Sequence, residues 1–178
     1  AQAGYAVQVY EHMPSAARKF LMAGKTGLNI SHSEEVELFI SRYDQADWLS
    51  PMVKAFDAVA IQQWMDGLGI SSYVGSSGRI FPLEMKAAPL LRAWLARLRQ
   101  QGVQFFYRHQ WLGWAANGDL QFKHAEQVLG RPARAVVLAT GGGSWRRLGS
   151  DAAWIDLLQQ QGVRILPLQA SNVGVQVA

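Results

Sequence analysis

The segment 86–101 restricts the possible folds of this chain more than any other. Its apolar residues recur at helical spacing, and Gly102 follows as a helix stop. The apolar residues on the predicted face are Ala87, Leu90, Leu91, Trp94, Leu95 and Leu98. Residues 103–107 then have the composition of a buried strand. A helix that leads directly into a buried strand predicts an α/β fold with a parallel sheet.

Two further apolar segments predict buried strands of the same sheet. Residues 5–10 end at the acid Glu11, and residues 134–139 run directly into the glycine turn 140–143. Ligands approach a parallel sheet at the carboxyl ends of its strands, so Glu11 and the glycine turn are candidate contacts. For Glu11 alone, a solvated acid at a strand end is the alternative interpretation.

Capping and turn signals divide the rest of the chain into short elements. Two strands are predicted within residues 71–82, around the turn 75–78. A hairpin of residues 110–116 and 120–123 is predicted through Asn117-Gly118-Asp119, a strong turn sequence. The remaining predicted helices cover residues 33–43, 47–56, 57–67 and 150–162.

The segment 18–32 combines cations, glycines and an amide in what the pattern predicts to be one loop. Backbone amides and cations would bind the negative charge of a phosphate-bearing ligand, and glycines would let the backbone approach that ligand closely. The residues concerned are Arg18, Lys19, Gly24, Lys25, Gly27 and Asn29. A solvated basic turn is the alternative interpretation, and it stays open.

No complete nucleotide-binding fingerprint is present in the sequence. Gly24-Lys25-Thr26 resembles the end of a Walker A loop, but Lys19 stands where the first glycine of that motif belongs. Gly67-Leu68-Gly69 has Ser72 at the third glycine position of a dinucleotide fingerprint, and the run 141–143 has Arg146 there. The sequence therefore argues against a P-loop nucleotide triphosphatase.

Several motifs occur in an order that matches a known family. They are Val-Tyr-Glu-His-Met-Pro-Ser at 9–15 with the segment up to His32, Gly-Ser-Ser-Gly-Arg-Ile-Phe-Pro at 75–82, Ala-Thr-Gly-Gly-Gly-Ser-Trp at 139–145, and Pro-Leu-Gln-Ala-Ser-Asn-Val-Gly at 167–174. Over nearly all 178 residues the chain thus resembles the BaiN/RdsA-type NAD(P)/FAD-dependent oxidoreductases. Many relatives carry Gly-Arg-Cys-Asn where this chain has Gly27-Leu28-Asn29, so no role of the family cysteine carries over.

The resemblance implies a Rossmann-like FAD-binding domain, with a parallel sheet, helices and an added β-hairpin. It implies hydride transfer between FAD and a small organic substrate, with NAD(P)H as a candidate electron donor. It assigns cofactor contact to Glu11, Arg18, Lys19, Gly24, Lys25, Gly27, Leu28, Asn29, Thr140, Gly141 and Gly142. His32 and Arg79 are candidate substrate contacts, with a structural histidine and an ordinary hairpin arginine as the alternatives. No catalytic residue is identified, and relatives differ in substrate.

The resemblance further predicts that the domain is truncated at both ends. Residues 1–4 have the pattern of a helix end closed by glycine, and Glu11 leaves too little room for a preceding glycine loop. Residues 1–170 would be a partial FAD-binding domain, and residues 171–178 the start of an inserted substrate domain. Without the pyrophosphate-binding loop, this chain alone is expected to bind FAD poorly and to be inactive.

Composition leaves one different function open. The net charge of +4 and seven tryptophans allow a basic, aromatic-rich module that binds nucleic acid or a protein partner. We nevertheless expect a small-molecule partner, with neither nucleic acid nor membrane. The sequence contains no apolar run of bilayer length and no signal-peptide pattern, and we expect a cytoplasmic protein. The absence of cysteine excludes disulfides and thiolate sites, and the four histidines show no metal-ligand spacing.

Overall fold

The computed structural model describes residues 1–24 and 26–169. Lys25 and the predicted start of an inserted domain at 171–178 lie outside the described residues. Strands are β1 Gln8–Glu11, β2 Ser31–His32, β3 Ser72–Val74, β4 Arg79–Pro82, β5 Gln104–Tyr107, β6 Gln110–Trp114, β7 Leu120–His124 and β8 Gln127–Arg131. Helices are α1 Arg18–Ala23, α2 Val36–Ile40, α3 Ala46–Ala55, α4 Ala58–Asp66, α5 Ala87–Gln100 and α6 Trp154–Gln160, and Arg146–Leu148 form a 3-10 turn. Among the described helices, none has the length and hydropathy to cross a bilayer.

The chain divides into two units, which are described separately. The first comprises Ala1–Gln8 and Ala17–Gln104, and the second comprises Val9–Ala16 and Phe105–Ala178. Their boundaries run through the strand pair β1–β5.

Helix α5 anchors the core of the first unit, as its sequence pattern predicts. Leu90 and Met65, from α5 and α4, are fully buried and cluster with Leu28 and Ala87. Gly102 adopts a φ of +81° just after the helix, a conformation that glycine reaches without strain. Burial of these side chains supplies the main driving force for folding of this unit.

The same unit contains a three-stranded antiparallel sheet in the order β2-β4-β3. The predicted turn 75–78 joins β3 to β4, and Tyr73 pairs with Phe81 in their register. On the other side of β4, Ser31 pairs with Ile80 and His32 with Arg79. The predicted strands on either side of this turn are thereby confirmed.

Strands β1 and β5 form the parallel pair that the sequence predicts. The Gln104 N–H donates to the Val7 carbonyl, and the His109 N–H donates to the Glu11 carbonyl. Because donor and acceptor numbers rise together, the two strands run in the same direction. The α/β class is confirmed, although β1 starts at Gln8 and none of its side chains is fully buried.

The hairpin of β6 and β7 forms around its predicted turn. Asn117 and Asp119 bond each other across the turn, and Gly118 adopts a φ of +85°. Strand β8 extends the hairpin to three antiparallel strands and was not predicted. The turn before β8 places Ala125 at a φ of +52°, so it lacks the glycine or asparagine that normally marks such a turn.

The predicted buried strand over residues 134–139 is wrong. These residues form no strand, and the Val137 side chain is 90% exposed. A strand is held by hydrogen bonds to its neighbours. In residues 1–24 and 26–169, no strand pairs with this segment. An apolar composition is therefore not sufficient for a strand, because a strand also needs hydrogen bonds to a neighbour.

The prediction of one loop over residues 18–32 is also wrong in part. Its first six residues are α1 and its last two are β2, so among the described residues only 24 and 26–30 lie between these elements. The sequence of α1 contains good helix formers such as Arg18, Leu21 and Met22, and cations among them do not prevent a helix.

Candidate functional site

Gly24 is buried at the end of α1, against the first residue of α5. A Cβ added to Gly24 would lie 2.5 Å from the Ala87 Cβ and 3.1 Å from the Ala87 backbone nitrogen. Such distances are far below van der Waals contact. The structure therefore gives Gly24 a packing role between two helices, whereas the sequence suggested close approach to a ligand.

The loop after α1 is held by the segment that precedes α5. The Leu28 N–H donates to the Met85 carbonyl at 2.9 Å, and the Leu28 side chain is buried in the core. Gly27 has a φ of +151° and lies against the Met85 side chain. Asn29 is exposed, and its amide is therefore accessible to a ligand. Of these predicted cofactor contacts, only Asn29 presents its side chain outward.

Two of the three predicted cations of this segment, Arg18 and Lys19, lie in the first turn of α1. Lys19 is exposed, whereas Arg18 is half-buried. The Nε of Arg18 is fully buried and has no hydrogen-bond partner in the described part of the chain. A buried donor without an acceptor is unfavourable, and native structures rarely keep one unless a ligand or water completes it.

In the second unit, Glu11 ends β1 and holds the chain that follows. Its Oε1 accepts a hydrogen bond from the Met13 N–H at 2.8 Å. Gly149 lies against the same segment, because a Cβ there would be 2.8 Å from Met13 Cγ and 3.1 Å from His12 Cε1. The half-buried carboxylate of Glu11 is thus fixed at the carboxyl end of its strand.

The turn Thr140–Gly143 is tied to α6 and to the residues before it. The Ser150 hydroxyl donates to the Gly142 carbonyl at 2.9 Å, and the Trp154 indole N–H donates to the Gly141 carbonyl at 2.8 Å. Gly141 adopts a φ of +74°, a conformation that favours glycine. A Cβ on Gly142 would meet nothing within 4 Å. Thr140 and Gly141 are exposed and Gly142 is half-buried, so the turn is open to a ligand.

Gly149 and Ser150 were missed as site residues by the sequence interpretation. Ser150 was predicted to begin a helix, but α6 begins at Trp154 and the Ser150 side chain is buried in its bond to Gly142. Together these two residues join the Glu11 strand end to the glycine turn within the second unit. The cluster Gly149-Ser150-Asp151 was the available signal, because short runs of glycine, serine and aspartate mark loops.

The two candidate substrate contacts, His32 and Arg79, are brought together as cross-strand partners. The His32 ring lies against Gly78, with Nε2 2.9 Å from the Ser77 carbonyl. Its Nδ1 accepts from the Glu34 N–H at 3.2 Å. The Nδ1 also lies 3.4 Å from the Glu34 Oε1, so both ring nitrogens are engaged by the local structure.

Glu34, which lies close to His32, forms an ion pair with Arg42. The Arg42 guanidinium donates to both Glu34 oxygens at 2.6–3.0 Å. These hydrogen bonds, with the charge of Arg42, hold the pKa of the Glu34 carboxyl below its ordinary value. The pair therefore contributes to stability above the ordinary carboxyl pKa, and the contribution is lost as pH falls toward the lowered value.

Replacing Arg42 by glutamine is expected to raise the pKa of Glu34, because the charged hydrogen bonds to its carboxylate are removed. A pH titration of the Glu34 side-chain carbonyl by NMR measures the change. Lys54→Gln, which removes the partner of Glu37 instead, is the control and should leave the Glu34 pKa unchanged. An equal Glu34 pKa in the wild type and the Arg42 variant would contradict this assignment.

Each unit, taken by itself, contains a group whose chemistry fits one part of FAD. A pyrophosphate accepts strong hydrogen bonds from cationic donors, and Arg18 of the first unit has a buried nitrogen that lacks an acceptor in the described part of the chain. A ribose requires a carboxylate that accepts from its hydroxyls, and Glu11 supplies one at a strand end. By contrast, no three His, Asp or Glu side chains in residues 1–24 and 26–169 lie close enough together to hold a metal ion.

Comparison with known proteins agrees with this fold. The sequence profile described as HI0933-like protein Rossmann domain matches residues 1–177. No curated protein matches the chain. Among solved structures, THI4 from Thermovibrio ammonificans superposes with a TM-score of 0.53 at 16% identity, over 92% of this chain and 56% of that one. At this identity the likeness concerns the fold alone, and the chain spans little more than half of that protein's length.

Proposed function

Because the chain belongs to the HI0933-like family of Rossmann-domain proteins, we propose that it is the FAD-binding part of a flavin-dependent oxidoreductase. The observation that carries the proposal is the buried Arg18 Nε, which has no acceptor in the described part of the chain. An anionic cofactor would provide that acceptor. The family match over residues 1–177 supports FAD as the anion.

Within each unit, particular residues would contact one part of the cofactor. Arg18, with the exposed Lys19, would neutralise phosphate oxygens. Glu11 would accept from ribose hydroxyls through the oxygen that is not bonded to Met13. The open turn at Gly142 would let backbone groups approach the cofactor. FAD, when bound, would supply hydride transfer to or from an organic substrate, with NAD(P)H as the electron donor.

The first experiment is the visible absorption spectrum of the protein expressed from its complete reading frame. We expect a flavin spectrum, and denaturation should release FAD. Anaerobic addition of NADH or NADPH should bleach the flavin bands if a nicotinamide is the donor. A colourless protein that also fails to take up added FAD would overturn the proposal. Salt-dependent binding of nucleic acid would then be the next assay for the alternative function.

Glu11→Gln is expected to weaken FAD binding about tenfold, because a hydrogen bond to a charged acceptor contributes roughly 1.5–3 kcal/mol. Glutamine keeps an oxygen for the Met13 N–H, so the loop should stay in place while the second acceptor is lost. Fluorescence titration of the apoprotein with FAD measures the effect. The matched control is Glu126→Gln, which changes an exposed carboxylate in the same unit. Equal FAD affinities for the two variants would remove Glu11 from the site.

A further inference from the structure

The three-stranded sheet of the first unit has one buried and one outer face. Along β4, Ile80 and Pro82 point inward and are almost completely buried. Alternation along a strand places Arg79 and Phe81 on the opposite face. Arg79 is exposed and Phe81 is half-buried. The outer face of the central strand thus presents a cation beside an aromatic ring.

Each neighbouring strand adds a ring to this outer face. In the register, His32 on β2 lies opposite Arg79, and Tyr73 on β3 lies opposite Phe81. Directly opposed residues of antiparallel strands share a face. The Tyr73 and Phe81 rings stack, with centroids 5.7 Å apart and planes inclined by 26°. Arg79 is therefore flanked by flat groups, which we call the outer aromatic face: His32, Tyr73, Arg79 and Phe81.

The guanidinium of Arg79 is available to a ligand. In the part of the chain that the structure describes, it forms no ion pair or side-chain hydrogen bond. By contrast, the His32 ring is held at both nitrogens, so it offers a fixed surface. Gly75 follows β3 and donates its N–H to the Arg79 carbonyl at 2.8 Å. A Cβ on Gly75 would lie 3.4 Å from the Phe81 ring, so on the β3 side this ring lies beside Arg79.

We propose that the outer aromatic face binds a flat organic acid, with the carboxylate on Arg79 and the unsaturated body on the Tyr73 and Phe81 rings. Charge complementarity supports an anion, because the planar guanidinium matches a carboxylate through two parallel hydrogen bonds. The stacked rings supply apolar area for a flat body. That this acid is the substrate of a flavin enzyme rests on the function proposed above, whereas its binding does not.

Binding is tested with 2-naphthoate, which combines a flat aromatic body with one carboxylate. Two comparison compounds separate these properties: 2-naphthylmethanol keeps the body without the charge, and acetate keeps the charge without the body. Isothermal titration calorimetry of the full chain should give the highest affinity for 2-naphthoate. Equal affinity for naphthylmethanol, or no binding of naphthoate at millimolar concentration, would overturn the proposal.

The variants assign the binding to this face. Arg79→Gln should weaken naphthoate binding about tenfold and leave naphthylmethanol unchanged, since one charge-assisted pair is lost. Arg79→Lys keeps the charge without the planar fork and should retain part of the affinity. Tyr73→Leu should weaken both naphthalene compounds. Arg92→Gln, at an exposed position on α5, is the matched control and should change neither. Wild-type naphthoate affinity in Arg79→Gln would refute the assignment.

The flavin spectrum of the same preparation separates this inference from the proposed function. A protein that contains FAD but does not bind naphthoate refutes the outer aromatic face as a site and leaves the flavin function standing. A protein that binds naphthoate through Arg79 but takes up no FAD confirms the site and removes only its interpretation as a substrate site.

Discussion

Replacing Gly24 by alanine is expected to lower the free energy of unfolding by about 2 kcal/mol, because overpacking a tight contact typically costs 1–3 kcal/mol. The new methyl group would lie 2.5 Å from the Ala87 Cβ and 3.1 Å from its backbone nitrogen. Backbone atoms at the start of α5 cannot move aside as a flexible side chain can. Urea denaturation of the wild type and the variant measures the change.

A second substitution tests whether this contact is the cause. Ala87→Gly removes one of the clashing groups, so the double variant Gly24→Ala with Ala87→Gly should recover part of the lost stability. Gly142→Ala is the control, because its added methyl group meets nothing within 4 Å. If Gly24→Ala left stability unchanged and weakened FAD binding instead, Gly24 would belong to the ligand site, as the sequence first suggested.

Replacing Arg18 by methionine is expected to change stability and cofactor affinity in opposite directions. The buried Nε has no acceptor in the described chain, so its removal should raise the free energy of unfolding of the apoprotein by about 1 kcal/mol. Methionine and arginine have similar helix propensities, so α1 itself should be little affected. FAD affinity should fall by roughly ten- to a hundredfold, because a charge-assisted hydrogen bond to the cofactor is lost.

Both quantities can be measured on the same protein, by urea denaturation without cofactor and by fluorescence titration with FAD. Arg92→Met provides the comparison, since it removes an exposed guanidinium from α5. A loss of apoprotein stability in Arg18→Met would show that the guanidinium has an internal partner. Unchanged FAD affinity would remove Arg18 from the cofactor site.

Elements whose signals are local were predicted from the sequence. The spacing of apolar residues predicts the helix α5 and the strand β5. Gly102, which adopts a positive φ, marks the end of the helix. The turn at 117–119 forms as predicted because Asn117 and Asp119 bond within the turn itself. Each of these features depends on residues only a few positions apart, so the sequence pattern contains the necessary information.

Elements that depend on distant partners were predicted less well. Residues 134–139 have the composition of a buried strand, but they form none in the described structure. A strand also needs hydrogen bonds to a partner strand that lies elsewhere in the sequence. Likewise, the pattern around Ser150 predicted a helix start. In the structure the Ser150 hydroxyl donates to the Gly142 carbonyl, and the helix begins at Trp154. A local pattern states what a segment can form, and the available partners decide what it does form.

For the candidate sites, the sequence by itself determined which chemical groups are present: the acid at the end of β1, the cations of α1, the glycine turn at 140–143 and the resemblance to a flavoprotein family. Only the tertiary structure decided which of them face outward. It buried Gly24 against Ala87, left the Arg18 Nε without an acceptor in the described chain, and set His32 opposite Arg79. The physical reason is that burial and strand register arise from contacts between residues far apart in the chain, which periodicity along the chain does not record.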